Sequence, residues 1–391
     1  MMKTIVNPVR VLVGLLFIFS GLVKAIDPLG LSYKMQEFFE LWGMTDFNQY
    51  TLWLSVLMIA FEIIAGVALL LGWQMRIIGW LLLLLIIFFT FLTGYAYLSG
   101  KFKNCGCFGD CIPITPLTSF LKDVALTLLI ILLFVNRDKI RPLFSGKVNG
   151  VLMTAATIFS FGLQWYALTY LPPVDCLPFR KGNNISEKLK IPEGAVPDSF
   201  AIRFVYEKDG KEYEFAPAEL PADLDTYNYV SRTDKLIRKG NAEPPIKGFA
   251  LAGFTDSDST KEVLAQPYAI LVFCENFSTP FEEWKDGFTS VYDLAGKKNI
   301  PVYVITNRPD EAKAIFPQSK FSGIQIFRCD YTAIRTAARA IPTIYLLNSG
   351  TILDKQSHKR IDLILDKLES LPAQEPAPVM QHSMKIEFPG N

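Results

Sequence analysis

Lys103-Asn104-Cys105-Gly106-Cys107-Phe108-Gly109-Asp110-Cys111 gathers three of the chain's six cysteines into seven residues, between two long apolar runs at 77–98 and 120–135. A short glycine-bearing loop that collects thiols in a greasy protein points to redox chemistry. The reading turns on which side of a membrane the loop faces, and on what shares that side.

Half of the 391 residues are hydrophobic, and the excess is confined to residues 1–171. Five stretches there (9–26, 52–71, 77–98, 120–135 and 151–171) approach the roughly 20 apolar residues a bilayer span needs. The fourth opens with Lys122 and Asp123, tolerable because long charged side chains near a helix end reach the interface. Lys3, Arg10, Arg76, Arg137, Lys139, Arg141 and Lys147 fall on one side of this path, and Lys34, Lys101, Lys103 and Lys122 on the other. The positive-inside rule makes the first side cytoplasmic. The expected topology is a bacterial inner-membrane protein with a cytoplasmic N-terminus, and with both the cysteine loop and residues 172–391 in the periplasm. The first run is expected to be a retained helix rather than a signal peptide, since no A-x-A site follows it and Lys24 does. The periplasm is oxidising, so paired cysteines are expected there. A net charge of +1 gives no ground for nucleic-acid binding.

Within the spans, Gly21 permits close helix packing and Asp27-Pro28 breaks the first helix. Lys24 and Asp123 are expected to pair across helices. Glu62 lies near the middle of the second span between Phe61 and Ile63, with no basic residue expected at its depth. An intramembrane carboxyl is a functional candidate. It could be a proton site or a hydrogen-bond donor to a quinone head group; a bond to a polar side chain of another helix is the plainer alternative.

Cys105 and Cys107 would stand about 7 Å apart in a straight strand, so a bridge between them needs a tight turn at Gly106. A bridge closing so small a ring would be strained and easily reduced. Lys101 and Lys103 favour a thiolate at Cys105, and Asp110 can accept a proton. Beyond the fifth span, Leu171-Pro172-Pro173-Val174-Asp175-Cys176 adds a fourth cysteine on the same side. Four cysteines allow three pairings. One has Cys105–Cys107 as the active couple and Cys111–Cys176 as partner or staple; a purely structural bridge is the alternative. With two histidines, both near the C-terminus, and no second Cys-x-x-Cys, no metal site is expected.

Residues 180–243 are mixed and β-rich, with a hairpin signal at Lys208-Asp209-Gly210, and read as a spacer subdomain. From 244 to 372 strands and helices alternate, which predicts a three-layer α/β domain; 373–391 reads as a loose tail.

These pieces carry two resemblances. Residues 1–148, with Glu62 and Cys105-Gly106-Cys107-Phe108-Gly109-Asp110, resemble the DoxX/MauE membrane family, a four-helix bundle to which residues 149–179 add a fifth helix and a proline-rich exit. This resemblance implies electron traffic between thiols and a membrane carrier, with quinone the expected cofactor and a periplasmic thiol protein or client the expected partner besides the lipid bilayer. Residues 244–372 resemble the TlpA-like branch of the thioredoxin fold, with Pro342 at the place of its cis-proline. Together they resemble the Bacteroidetes DoxX proteins that carry a C-terminal extracytoplasmic domain. The second resemblance breaks at its reagent: where the family carries Cys-x-x-Cys, this chain has Ser278-Thr279-Pro280-Phe281. Cys274 and Cys329 are expected to be buried hydrophobes. The candidate catalytic residues are Cys105, Cys107 and Glu62, and Ser278, Pro280, Phe281 and Pro342 outline a degenerate groove. Two functions remain open, a membrane thiol oxidoreductase and a non-catalytic assembly or client-binding factor.

Overall fold

The computed structural model describes residues 2–102, 106, 108–109, 111–238, 240–253, 257–316, 319–321 and 323–375. Cys105, Cys107, Asp110, Lys103 and nearly all of the tail lie outside the described residues.

The chain begins with helices α1 (Met2–Ala25), α2 (Pro28–Leu41), α3 (Thr51–Leu71), α4 (Met75–Ser99), α5 (Pro116–Val135) and α6 (Gly146–Tyr170). All but α2 are long and apolar enough to cross a membrane, giving five spans among the described residues. Asp27 caps α2 by accepting from the Gly30 N–H, with Pro28 as its first residue. Thr115 caps α5 in the same way, ahead of Pro116. Thr118 and Ser119 also suit a cap by residue type, but Pro116 has a preset φ and no N–H to satisfy, so the helix starts there and the cap falls one residue earlier. Small residues bring α1 against α3. A Cβ on Gly66 would stand 2.8 Å from the Gly14 carbonyl oxygen and 3.0 Å from the Ile18 nitrogen, backbone atoms that cannot move aside.

Helix α2 was not legible as a separate element. It packs on α3 through Ser32–Thr51 (3.0 Å) and Ser55–Pro28 carbonyl (2.7 Å) hydrogen bonds, and stacks Phe38 on Phe102 with ring centroids 4.2 Å apart.

Beyond the membrane helices and the short α7 (Ile185–Lys188), strands β1 (Ser199–Lys208), β2 (Lys211–Phe215) and β3 (Asn228–Arg238) form an antiparallel sheet in the order β2-β1-β3. Its hairpin turns at Asp209 and Gly210, both at positive φ, as a two-residue loop requires.

The α/β domain follows with α8 (Thr260–Leu264), β4 (Tyr268–Cys274), α9 (Lys285–Lys297), β5 (Val302–Thr306), α10 (Pro309–Ile315), β6 (Gln325–Arg328), α11 (Tyr331–Ala337), β7 (Thr343–Asn348), β8 (Thr351–Ser357) and α12 (Ile361–Glu369). The sheet order is β6-β5-β4-β7-β8, with β4, β5 and β6 parallel and β7 and β8 antiparallel. Alternation along β4 separates two cores. Leu271 and Phe273 join Phe179, Phe249 and Ile334, while Ile270 and Val272 join Phe288, Ile364 and Leu368. The three layers and the cis Ile341–Pro342 bond make this domain thioredoxin-like. Residues 180–243 do not form one unit. Phe179 and Ile185 are fully buried in the α/β core, and the Ile185 N–H donates to the Gly350 carbonyl, so the chain reaches that domain before it builds the separate sheet.

Candidate functional site

Where α1, α3, α4 and α5 meet beneath α2, they enclose a cavity of about 80 Å³. Leu16, Phe17, Leu31, Met35, Phe38, Met58, Ile86, Phe89, Leu92 and Leu126 make it apolar. Lys24, Glu62, Lys122, Asp123, Ser20 and Thr93 are its polar wall, and Gly106 and Phe108 of the cysteine loop also line it.

The charges pair differently from the sequence expectation. Lys24 Nζ contacts both oxygens of Glu62, at 2.5 and 2.6 Å, and does not bond Asp123. Side chains on a helix lean toward its N-terminus, so Lys24, in the last turn of α1, reaches back along the helix. The level it reaches is that of Gly21, whose Cβ would touch Ile63 and Glu62, which puts Glu62 about one turn from that end of α1 and supplies the deep basic partner the sequence did not reveal. Ser20 adds a hydroxyl donor to Glu62 at 3.2 Å. Asp123 is itself buried, bound by its neighbour Lys122 at 2.5 Å and by the Thr93 hydroxyl at 3.1 Å. The cavity thus holds two carboxylates, each paired with a lysine, whereas the sequence reading paired Lys24 with Asp123 and left Glu62 without a basic partner.

Gly106 and Phe108, described residues of the cysteine loop, border this site. Phe108 packs on Phe19 (5.9 Å between centroids), and Lys122 Nζ lies 5.2 Å above its ring. Gly106 has φ +68°, and a Cβ there would come within 2.9 Å of the Lys34 side chain. Only glycine suits that backbone and that contact. Cys111 and Cys176 form a disulfide that ties the loop to the segment leaving α6. Next to it Asp175 pairs with Lys355 of β8, which is almost fully buried; burial pushes the Lys355 pKa down against the pull of Asp175.

The thioredoxin-like domain docks on the same end of the bundle. Arg339, 3% exposed, donates to Asp27 at 2.8 Å. Glu275 accepts from Tyr33 of α2 at 2.8 Å and from Arg335 at 3.0 Å, and both arginines lie over the Tyr33 ring. Burial, followed by the nearby Glu275 charge, raises the Tyr33 pKa, keeping the phenol a donor. Since α2 also lines the intramembrane cavity through Leu31, Lys34, Met35 and Phe38, one helix touches both sites.

Ser278 and Pro280 line a second cavity, of about 390 Å³, closed on its other side by Leu29, Leu52, Leu168 and Thr169 of the bundle. The degenerate groove therefore shares its walls with the membrane helices. Thr279 donates to the Ile341 carbonyl at 2.7 Å, filling the acceptor next to cis-Pro342 from within. Phe281 is not a groove residue. Its ring packs among Trp284, Phe288, Phe316 and Phe321, because its place at the start of the α9 segment points an apolar side chain into the core. His358 borders this cavity, and neither of its buried ring nitrogens has a partner. Cys274 and Cys329 are buried, and burial pushes both thiols up to about 12.

Comparison with known proteins places these parts. Residues 2–136 match the family model of the methylamine utilisation protein MauE, and residues 200–239 match a domain of unknown function (DUF8463). Protein TlpB of Flavobacterium psychrophilum is 31% identical over 158 residues, which take in 40% of this chain and 43% of that protein. The chain thus spans less than half the length of this relative. Two crystal structures of yeast Sco1, one with copper bound, align at 18% identity and TM-score 0.25; they cover 34% and 32% of this chain and 96% of theirs. The chain thus joins a membrane region that is similar to MauE over residues 2–136 to a thioredoxin-like domain. Its two halves meet through α2.

Proposed function

We propose that the protein is a membrane thiol–disulfide redox protein, passing electrons between thiols of the Cys105–Gly106–Cys107 loop and a quinone held in the intramembrane cavity. One observation carries the reading: the cavity that contains both ion pairs is also lined by Gly106 and Phe108, the residues interleaved with those cysteines.

The residues present fit a quinone head group. Apolar and aromatic walls suit its ring, and the Lys24–Glu62 and Lys122–Asp123 pairs, with Thr93, offer donors for its oxygens. When bound, a quinone supplies a two-electron, two-proton acceptor, matching what a dithiol releases on closing to a disulfide. Glu62 and Asp123 offer carboxylate oxygens within the cavity to which the protons released with the thiol electrons would pass on their way to the quinone. Lys34 and Lys122 lie beside Gly106 and Phe108, but each is already paired with a carboxylate, Glu37 and Asp123, so the electrostatic pull on a thiolate there is a local one between paired charges. The electron source in this reading is a periplasmic thiol protein, and the setting is a bacterial inner membrane with the N-terminus in the cytoplasm, as the basic-residue asymmetry indicates.

A second reading, a non-catalytic membrane-anchored assembly or client-binding factor, draws on Ser278-Thr279-Pro280-Phe281, which offers no sulfur. Cys105→Ser and Cys107→Ser separate the two. The redox reading expects normal membrane abundance with client thiols frozen in one state. Loss of the protein with client thiols cycling as before would sink it.

A further inference from the structure

The sheet formed by β1, β2 and β3 stands on a neck in which Asn241 and Val196 exchange hydrogen bonds of 2.8 Å. Strand β3 pairs with β1 on one side, and residues 228–235, 237 and 238 along it are exposed. It is therefore an unusually long edge: a row of backbone donors and acceptors ready to pair with another strand. Bulges at Val230 and Ile237, where the register with β1 shifts, bound a regular stretch at 231–236. Natural edges often shelter behind bulges, and here the shelter stops short of the middle.

The middle is complementary to itself. In an antiparallel pair of identical strands related by a two-fold axis, residues opposite each other have numbers with a constant even sum. With Thr233 on the axis, Arg232 faces Asp234 of the second copy, Asp234 faces Arg232, and Ser231 faces Lys235. Shifting the register by one step either way sets Arg232 against Arg232, or Asp234 against Asp234. Like charges directly opposite are destabilising and opposite charges favourable. One register is therefore singled out. Within one chain Arg232 already donates to Asp234 at 2.7 Å, and both are about half exposed, so each pair has capacity for a second partner.

We propose that β3 is a homodimer interface, in which two copies join edge to edge about Thr233 into one six-stranded antiparallel sheet. The partner is a second copy of this chain, chosen by the charge register. Within each copy Tyr206, Tyr213, Phe215 and Tyr229 pack on one another in ring contacts, on the sheet face that Arg232 and Asp234 share, so the charged pairs meet at the seam between two aromatic clusters. Both copies sit in one membrane, so the axis runs along its normal and β3 lies parallel to the bilayer surface.

The test uses the full chain in lipid nanodiscs or mild detergent. Thr233→Cys, mildly oxidised, should give a disulfide-linked dimer, whereas Lys211→Cys on the opposite edge should not. Arg232→Asp should raise the dissociation constant of the dimer on the order of tenfold or more, since it turns two attractions into repulsions at once, and the swap Arg232→Asp/Asp234→Arg should restore it. A purely intrachain pair would leave the association state unchanged in both charge variants. A chain that stays monomeric at every concentration, or a dimer indifferent to Arg232→Asp, overturns the proposal. Cross-linking through Thr233→Cys to a different protein overturns the choice of partner.

Discussion

Replacing Lys24 with methionine keeps the length of the side chain and removes its charge. In the folded protein Lys24 and Glu62 are 3% and 1% exposed, and the ammonium holds both carboxylate oxygens. Lys24→Met leaves the carboxylate with the Ser20 hydroxyl at 3.2 Å as its remaining hydrogen-bond donor among the described residues. Stranding one member of a buried pair costs about 3–5 kcal/mol, whereas replacing both members by neutral groups of similar volume is close to neutral. Lys24→Met alone should therefore destabilise the bundle by about 3 kcal/mol or more, and Lys24→Met/Glu62→Gln should recover most of that. Lys122 is the internal control. Its side chain is 26% exposed, so water can reach it and Lys122→Met should cost less, about 1–2 kcal/mol. Reversible unfolding of the purified chain in mixed micelles, arranged as a double-mutant cycle, reads these values. A loss below about 1 kcal/mol for Lys24→Met, or a double variant no more stable than the single one, would refute the buried-pair argument.

Other expectations concern the thiols and the groove. At pH 8 an alkylating reagent should leave Cys274 and Cys329 untouched in the folded chain, because burial holds both thiols near 12; labelling of either before unfolding contradicts this. Peptide mapping without reductant should recover Cys111 joined to Cys176, and Cys111→Ser and Cys176→Ser should have matching effects, at most about 4 kcal/mol for a bridge spanning 65 residues. Burial, then the neighbouring Lys359 charge, lowers the His358 pKa below its ordinary 6.5. The unfolded chain then binds the proton more readily, so stability present above about pH 6.5 is lost as pH falls through that window. Thermal unfolding of the full chain should show this loss between pH 7 and 5 more strongly than the His358→Gln variant, and equal slopes would remove His358 as its source.

The membrane spans and the three-layer domain were legible because their signals are long and repetitive: apolar runs in the first, buried strands alternating with helices in the second. Pro342 and the missing sulfurs at Ser278 and Phe281 could be read because each occupies a fixed place after a recognisable strand. The ion pairs could not. Whether Lys24 meets Asp123 or Glu62 depends on a lean of one helical turn and on how closely Gly21 lets α1 approach α3, and no spacing in the sequence records either. Helix α2 was missed for a related reason. It carries Tyr33, Lys34, Gln36 and Glu37 among its apolar residues, so it resembles a polar loop until Arg335, Arg339 and Glu275, some 240 to 312 residues further on, are brought against it. The orientation of the degenerate groove toward Leu29, Leu52 and Leu168 is equally a product of docking.

The most direct test of the central claim is the rate at which pre-reduced protein in nanodiscs, with and without a quinone, loses free thiols at Cys105 and Cys107, read by alkylation and mass spectrometry. The account predicts oxidation that depends on the quinone and slows by about 100-fold or more in Glu62→Gln, the scale of a lost proton-transfer group. Thiols that oxidise at the same rate without quinone, or that are indifferent to Glu62→Gln in a variant of normal abundance, would contradict it.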